Sequence, residues 1–333
     1  MFRRKIIILL FVIFFIEKIT IYAKNPEWIT NPNKIYSRDI YEFGIGEGKE
    51  EKEAENNAFS SLAKVFGMSV KNDTKAQQRL VKNAQGVEDT SVLEDNITVE
   101  AQHDLINVRI VERYYDSKRK KYYALAVMNK KETVPLIEKK IKENIETIKS
   151  YISKSEAEKD PLHKYSLVDL AYVVSLKNDS FQQQLMILDS SRKVEIEDAY
   201  RSNSLESMRN DIIQSMTFAV ENSELFSSVQ LVIEQMLSDF GLKISKNNPT
   251  YIFKENISYN GNDTGYGLYV LNYTLLIELV DTNNKRLTSF TFKGKEVGAN
   301  EDAAKKVVAG KLSKSIKDSL TEEFGNFLNT MIE

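Results

Sequence analysis

Between residues 134 and 152 the chain places an apolar residue on every helical turn: Val134, Ile137, Ile141, Ile145, Ile148 and Ile152, with Lys and Glu filling most of the other positions. Steps of three and four residues align these side chains in one stripe, a coiled-coil-like seam that must be buried against a neighbour. On either side the period changes. Ile106, Val108 and Ile110 alternate with Asn107 and Arg109, and Tyr269, Leu271, Tyr273, Leu275, Ile277 and Leu279 alternate with polar residues such as Asn272, Thr274 and Glu278. A period of two is that of a half-buried strand. The reading is therefore an α+β protein with two mixed domains, each a strand, a helix, an antiparallel meander and a closing helix, joined by a helical connector.

The same shifts set the boundaries: a leader over residues 1–23, a first α+β domain over 24–131, a connector over 132–205 and a second α+β domain over 206–333. In the first domain an extended stretch at 40–45 runs into Gly44, Gly46 and Gly48, and Ala54, Ala58, Leu62 and Val65 then share one helical face. A hairpin follows, its strands joined by the turn Asp116-Ser117-Lys118 and its second strand at 122–128. The polar residues 71–102 fit a strand, a helix or a loop equally well. Asp160-Pro161 ends the long connector helix, because proline lacks an amide donor, and two further helices are read at 162–176 and 181–187.

The last third opens with a strand at 215–220. A helix follows with Leu225, Val229, Val232, Met236 and Phe240 on one face, stopped by Gly241. Strands are read at 250–259, at 266–280 and, after the turn Asp281-Thr282-Asn283-Asn284, through Phe290 and Phe292. A final helix carries Ala304, Val307, Val308, Leu312, Ile316, Leu320, Phe324 and Phe327. Gly48 followed by Ala54 and Ala58 is echoed by Gly298 followed by Ala303, Ala304 and Ala309. Duplication and convergent packing of small residues both explain that echo.

Arg3, Arg4 and Lys5 precede an unbroken apolar run at residues 6–16. The run falls short of the roughly 20 apolar residues a spanning helix needs and suits an export signal. The expected cleavage lies between Ala23 and Lys24, with a retained signal anchor as the alternative. The 333 residues include no Cys and two His, with 46 Lys+Arg against 48 Asp+Glu. Disulfides, thiolate zinc, iron–sulfur clusters and a lipid thioether on cysteine all need the missing sulfur. A mildly acidic chain without a basic block argues against nucleic acid as a partner. No cofactor or metal is expected.

Several residues invite a chemical reading. Phe43-Gly44-Ile45-Gly46-Glu47-Gly48 stands where a phosphate loop would stand, but Lys49, Glu50 and Glu51 follow in place of Gly-Lys-Ser/Thr, and the segment reads as a tight turn. His103 and His163 lack metal-type spacing and read as isolated surface histidines. Glu51/Glu53 and Glu195/Glu197 sit in Lys-rich surroundings and read as solvated helix faces instead of glycosidase pairs. Asn96-Ile97-Thr98 and Asn272-Tyr273-Thr274 match a glycosylation pattern that an Asn-rich chain produces by chance. Tyr266, Tyr269 and Tyr273, and the cluster Tyr114-Tyr115 with Tyr122-Tyr123, either line a recognition face or belong to ordinary sheet composition. Trp28 is expected to pack onto the first domain.

One resemblance gathers these features. Pro26-Glu27-Trp28-Ile29, then Tyr41-Glu42-Phe43-Gly44-Ile45-Gly46, an Ala-containing helix through Ala54, Ala58 and Ala63, then Val111-Glu112-Arg113-Tyr114-Tyr115-Asp116 and Tyr122-Tyr123-Ala124-Leu125-Ala126-Val127 resemble the LPP-twenty family of bacterial envelope lipoproteins over residues 26–131. The resemblance implies an envelope location and a noncatalytic assembly or surface role, and it supplies no active-site residues. The lipobox cysteine common in the family is absent, with Ala23-Lys24 at the expected junction.

The function expected is that of an exported, noncatalytic cell-envelope protein, in the periplasm or at the cell surface or outer membrane, that binds or assembles with another envelope component, a protein above all. The alternative is a peptidoglycan- or glycan-binding module using Tyr266, Tyr269 and Tyr273. Membrane association would come through a retained leader or a partner.

Overall fold

The computed structural model describes residues 25–66, 105–221 and 227–331. The leader with its Ala23–Lys24 junction, residues 71–102, His103, the Asn96 pattern and Leu225 lie outside them. A short helix α1 (Glu27–Thr30) leads to β1 (Tyr41–Gly48), α2 (Glu51–Val65), β2 (Val108–Asp116) and β3 (Lys121–Asn129). The strands form an antiparallel sheet in the order β1-β3-β2. The β2–β3 turn is fixed by Asp116, whose carboxylate accepts from the amides of Lys118 and Arg119 at 2.9 and 3.1 Å.

A register shift between Ile110 and Glu112 leaves Val111 as an extra residue. Such a bulge re-aims every side chain that follows. Ile110 lies opposite Ala126 and Arg113 opposite Ala124, toward α2, while Glu112 lies opposite Leu125 on the other face. That other face is covered by the N-terminal segment. Trp28, 3 % exposed, packs there with Phe43, Tyr123, Leu125 and Val127, as expected from the sequence.

The glycines at 43–48 correct one expectation. They lie inside β1, not in a turn. A Cβ on Gly44 would overlap the backbone of Ala58 and Leu62, and one on Gly46 that of Ala54 and Ala58. Helix α2, buried through Ala54, Ala58 and Leu62, thus rests on the strand backbone to backbone, where any side chain would push it off.

Helix α3 (Lys130–Ala157) starts directly from β3, capped by Asn129, whose side chain accepts from the Glu132 amide at 3.2 Å. Helix α4 (Pro161–Leu188) returns antiparallel, with Pro161 in its first turn and Asp160 accepting from the His163 amide at 2.9 Å. This is the stop and restart that Asp160-Pro161 signals. The two helices expected at 162–176 and 181–187 are one. The polar residues Lys177, Asn178, Asp179 and Ser180 stay helical, and Asn178 points into the hairpin, where its Oδ1 accepts a 2.8 Å hydrogen bond from Asn144 Nδ2.

This pair divides two hydrophobic cores. On one side Ile137 and Ile141 of α3 with Phe181, Leu185 and Leu188 of α4 pack with α2 and the first sheet. On the other, Ile148 and Ile152 with Leu162, Tyr165, Val168, Ala171 and Tyr172 join the core of the second sheet. Helix α5 (Ser202–Ser215) adds Leu205, Ile212 and Ile213 to this second core.

The second sheet comprises β4 (Thr217–Glu221), β5 (Lys243–Ile244), β6 (Tyr251–Asp263), β7 (Tyr269–Asp281) and β8 (Arg286–Gly298) in the order β5-β4-β6-β7-β8, with α6 (Ser227–Asp239) and α7 (Glu301–Thr330) packed on it. The strand ahead of the helix pairs parallel with the first meander strand here, β4 with β6, whereas β1 pairs antiparallel with the last, β3. The shared element order therefore hides two topologies. The Gly–Ala echo is one of packing: a Cβ on Gly298 would strike the backbone of Ala304, as at Gly44 and Gly46.

Candidate interaction surface

Strand β4 ends at Glu221, opposite Lys254, while β6 continues with β7 to the pair Asp263–Tyr269. Residues 255–263 of β6, with their partners on β7 and β8, thus form a ribbon that runs about 30 Å past β4. On its inner face Tyr269, Leu271, Tyr273, Leu275 and Phe292 lie toward the core completed by α7. The middle of the outer face is polar and open. Across it Asn260, Asn272 and Lys295 stand in one row and Ser258, Thr274 and Lys293 in the next. All of these are exposed except the half-buried Thr274.

At the end of the ribbon Gly265 and Gly267 take left-handed backbone, with φ of 77° and 71°, on either side of Tyr266. Glycine alone adopts this region at little cost. Asp263 accepts from the Gly265 amide at 2.8 Å, and the Thr264 amide and hydroxyl both donate to the Leu268 carbonyl at 2.9 Å. The turn is thereby closed on itself and Tyr266 is turned outward, 91 % exposed. Leu268, Val270 and Val297 continue from it along the outer face, Val270 directly opposite Val297.

The three tyrosines grouped by sequence do not share a surface. Tyr269 is half-buried against the core, and Tyr273 is buried over Gly294, where an added Cβ would come within 2.8 Å of the Tyr273 ring. The reason is periodicity: positions 269 and 273 fall on the inner face with Leu271 and Leu275. In the first sheet Tyr115 faces Tyr122 with ring centroids 4.6 Å apart, and Tyr123 is buried beside Trp28.

The remaining candidates are tied up in structure. Glu51 and Glu55 both pair with Arg113, at 3.2 and 2.6 Å, and Glu53 accepts from the Lys49 amide. Glu195 lies 3.6 Å from Lys193 and Glu197 3.8 Å from Lys149. His163, read as an isolated surface residue, instead sits with Nδ1 2.8 Å from Glu158. Asn272 donates to the Asn260 carbonyl at 3.2 Å. Among the described residues no three His, Asp or Glu side chains converge as metal ligands, and no helix is long and apolar enough to cross a membrane. An open groove of about 470 Å³ between the α3–α4 turn and α5 is lined by charges of both signs, including Glu158, Lys164 and Asp211.

Two features escaped the sequence reading. Lys293, Lys295 and Val297 share the outer face, which the alternation with Phe290 and Phe292 encodes. Glu255, aligned with Phe253 and Ile257 on the inner face of β6, has both carboxylate oxygens buried without a hydrogen-bond partner, and burial raises its pKa to about 7.

The fold defines a two-sheet α+β protein built around a shared helical hairpin. Residues 26–129, from ahead of α1 to the end of β3, match the family model of the LPP20 lipoprotein, the LPP-twenty family. No curated protein matches the sequence. Among solved structures, the chain is similar to the secreted protein HP1454 from the human pathogen Helicobacter pylori, at 12 % identity and a TM-score of 0.40 over 86 % of this chain and 97 % of that one. It is also similar to a minor lipoprotein from Acinetobacter baumannii, at 11 % identity and a TM-score of 0.24 over 34 % of this chain and 91 % of that one. The lipoprotein-family match supports an exported, envelope-associated protein.

Proposed function

We propose that this protein is a noncatalytic binding or assembly module of the cell envelope, in the periplasm or at the outer membrane or cell surface, that presents its two sheets at a fixed separation to a protein partner. One observation carries the reading: a single helical hairpin contributes to both cores, with the Asn144–Asn178 hydrogen bond between them. Two helices of 28 residues each span about 40 Å. Such an element suits a spacer. Of the three tyrosines of the glycan-binding alternative, only Tyr266 stands free of the core.

The test is site-specific photocrosslinking in envelope fractions from Ser289 and Thr291 on the open face of the second sheet. A discrete protein adduct at these sites, absent when the probe stands at Lys139 on α3, is expected. Recovery of the uncrosslinked monomer alone would count against a protein partner.

A further inference from the structure

We infer that the end of the β6–β8 ribbon is a docking site for an anionic lipid surface, with Tyr266, Leu268 and Val297 entering the headgroup region and Lys295 and Lys293 meeting lipid phosphates behind them. The outer face changes character along its length. At the tip Tyr266 is 91 % exposed, Leu268 49 % and Val297 45 %, with Val270 beside Val297. The next rows inward carry Lys295 and then Lys293. Same-face residues on a strand are about 7 Å apart, so the two ammonium groups stand one and two rows behind the apolar tip. A peripheral apolar element sinks about 5–10 Å into the headgroup boundary, a depth at which lysines so placed reach the phosphates with their flexible stems.

Charge on the ribbon is sorted to match. Lys293 and Lys295 point outward, whereas Glu296 alternates to the inner face, near enough to Tyr273 to help raise its pKa beyond the effect of burial. Asp263 lies on the inner parity and is engaged by the Gly265 amide. Further down the outer face, Glu278 is paired with Arg286. On the outer face an anionic surface therefore meets two cations before any carboxylate, while of the acids beside the tip Asp263 is engaged by the Gly265 amide and Glu301, which with Asp302 begins α7, is paired with Lys305 at 2.7 Å. Shape also favours lipid over the alternatives. The tip is a tight turn with three exposed apolar side chains, well short of the about 800 Å² per partner that a stable protein interface covers, and Tyr266 offers a sugar one flat ring flanked by the branched aliphatic side chains of Leu268, Val270 and Val297, which give no second face to stack on. This lipid contact is independent of the protein partner proposed above, and its test contains no other protein.

The test places tryptophan at the tip. In the full chain Tyr266→Trp adds one indole at a position 91 % exposed, while Trp28 stays buried as a reference. Vesicles of phosphatidylcholine with about one third phosphatidylglycerol, doped with brominated lipid, report contact by quenching. Tyr266→Trp emission is expected to shift blue and be quenched on these vesicles, but not on phosphatidylcholine alone. Lys293→Glu with Lys295→Glu is expected to weaken the response about tenfold or more, given about 1 kcal/mol per basic residue near an anionic surface. Lys139→Trp, on the hairpin, should stay unquenched even where the leader holds the chain on the vesicle. Absence of tip quenching, quenching unaffected by the charge reversals, or an emission response of the Tyr266→Trp variant to purified cell-wall glycan in place of vesicles would each overturn the proposal.

Discussion

The hydroxyl of Tyr251 donates a 2.9 Å hydrogen bond to Asp160 and accepts one of 3.0 Å from the amide of Leu162. Tyr251 belongs to β6 and Asp160 to the turn between α3 and α4, so one phenol ties the second sheet to the end of the hairpin. Asp160 spends its other oxygen on the His163 amide, which makes the knot a helix cap as well. Burial, more than the nearby Asp160 charge, raises the Tyr251 pKa well above that of an ordinary phenol. Tyr251→Phe would keep the ring against Phe218 and take one partner each from the buried Leu162 amide and the half-buried Asp160 carboxylate. The expected loss is about 1–3 kcal/mol, read as a lower denaturant midpoint at unchanged slope.

Asn144 and Asn178 make a different prediction. Asn144→Leu strands the Asn178 amide in the hairpin and is expected to cost about 1–3 kcal/mol. Since Asn178 Nδ2 already lacks a partner, replacing both by Leu should recover most of that loss, as apolar replacement of a buried polar pair often does. A double-mutant cycle in urea measures the coupling. Additive losses would show that the pair does not act as a unit.

Glu255 makes stability depend on pH. Its folded pKa, about 7, lies above the ordinary 4.5, so the folded state holds the proton more tightly than the unfolded chain. The sign is that of a raised acid: stability is fully present below about pH 4.5, declines as pH rises through about 7, and is flat above. Glu255→Gln removes this decline. The variant should match the parent near pH 4 and exceed it by about 1–3 kcal/mol at pH 8, in thermal melts across that range.

Two glycines separate packing from backbone strain. Gly46→Ala puts a methyl group into the backbone of α2 and should cost more than about 3 kcal/mol, lifting the helix from β1. At Gly241 φ is 74° and nothing lies near a Cβ. Gly241→Ala should cost only about 1 kcal/mol through its left-handed conformation. Hydrogen exchange of the α2 amides distinguishes them, with accelerated exchange in Gly46→Ala only.

Local patterns in the sequence carry much of this architecture. The seam from Val134 to Ile152, the Asp160-Pro161 break, the turn at Asp116 and the burial of Trp28 follow from period, capping and turn chemistry within a few residues. Misreadings arise where a local cue has a distant cause. Lys177 to Ser180 look like a break because the buried partner of Asn178 is 34 residues away. Gly44 and Gly46 look like a turn because the helix that requires them comes afterwards. Tyr273 looks like a surface residue although its alternation with Leu271 and Leu275 marks the inner face. The parallel pairing of β4 with β6 leaves no local trace, since strand partners are chosen by the whole core.

The hairpin is predicted to hold the two sheets at one separation. A chain without cysteine allows two to be introduced for spin labels without background, at Arg109 on β2 and Thr291 on β8, both exposed. Pulsed dipolar spectroscopy on the full chain is predicted to give one narrow distance distribution, unchanged between pH 6 and 8. A broad or two-peaked distribution in the parent protein would show instead that the sheets move independently and that the hairpin is no fixed spacer.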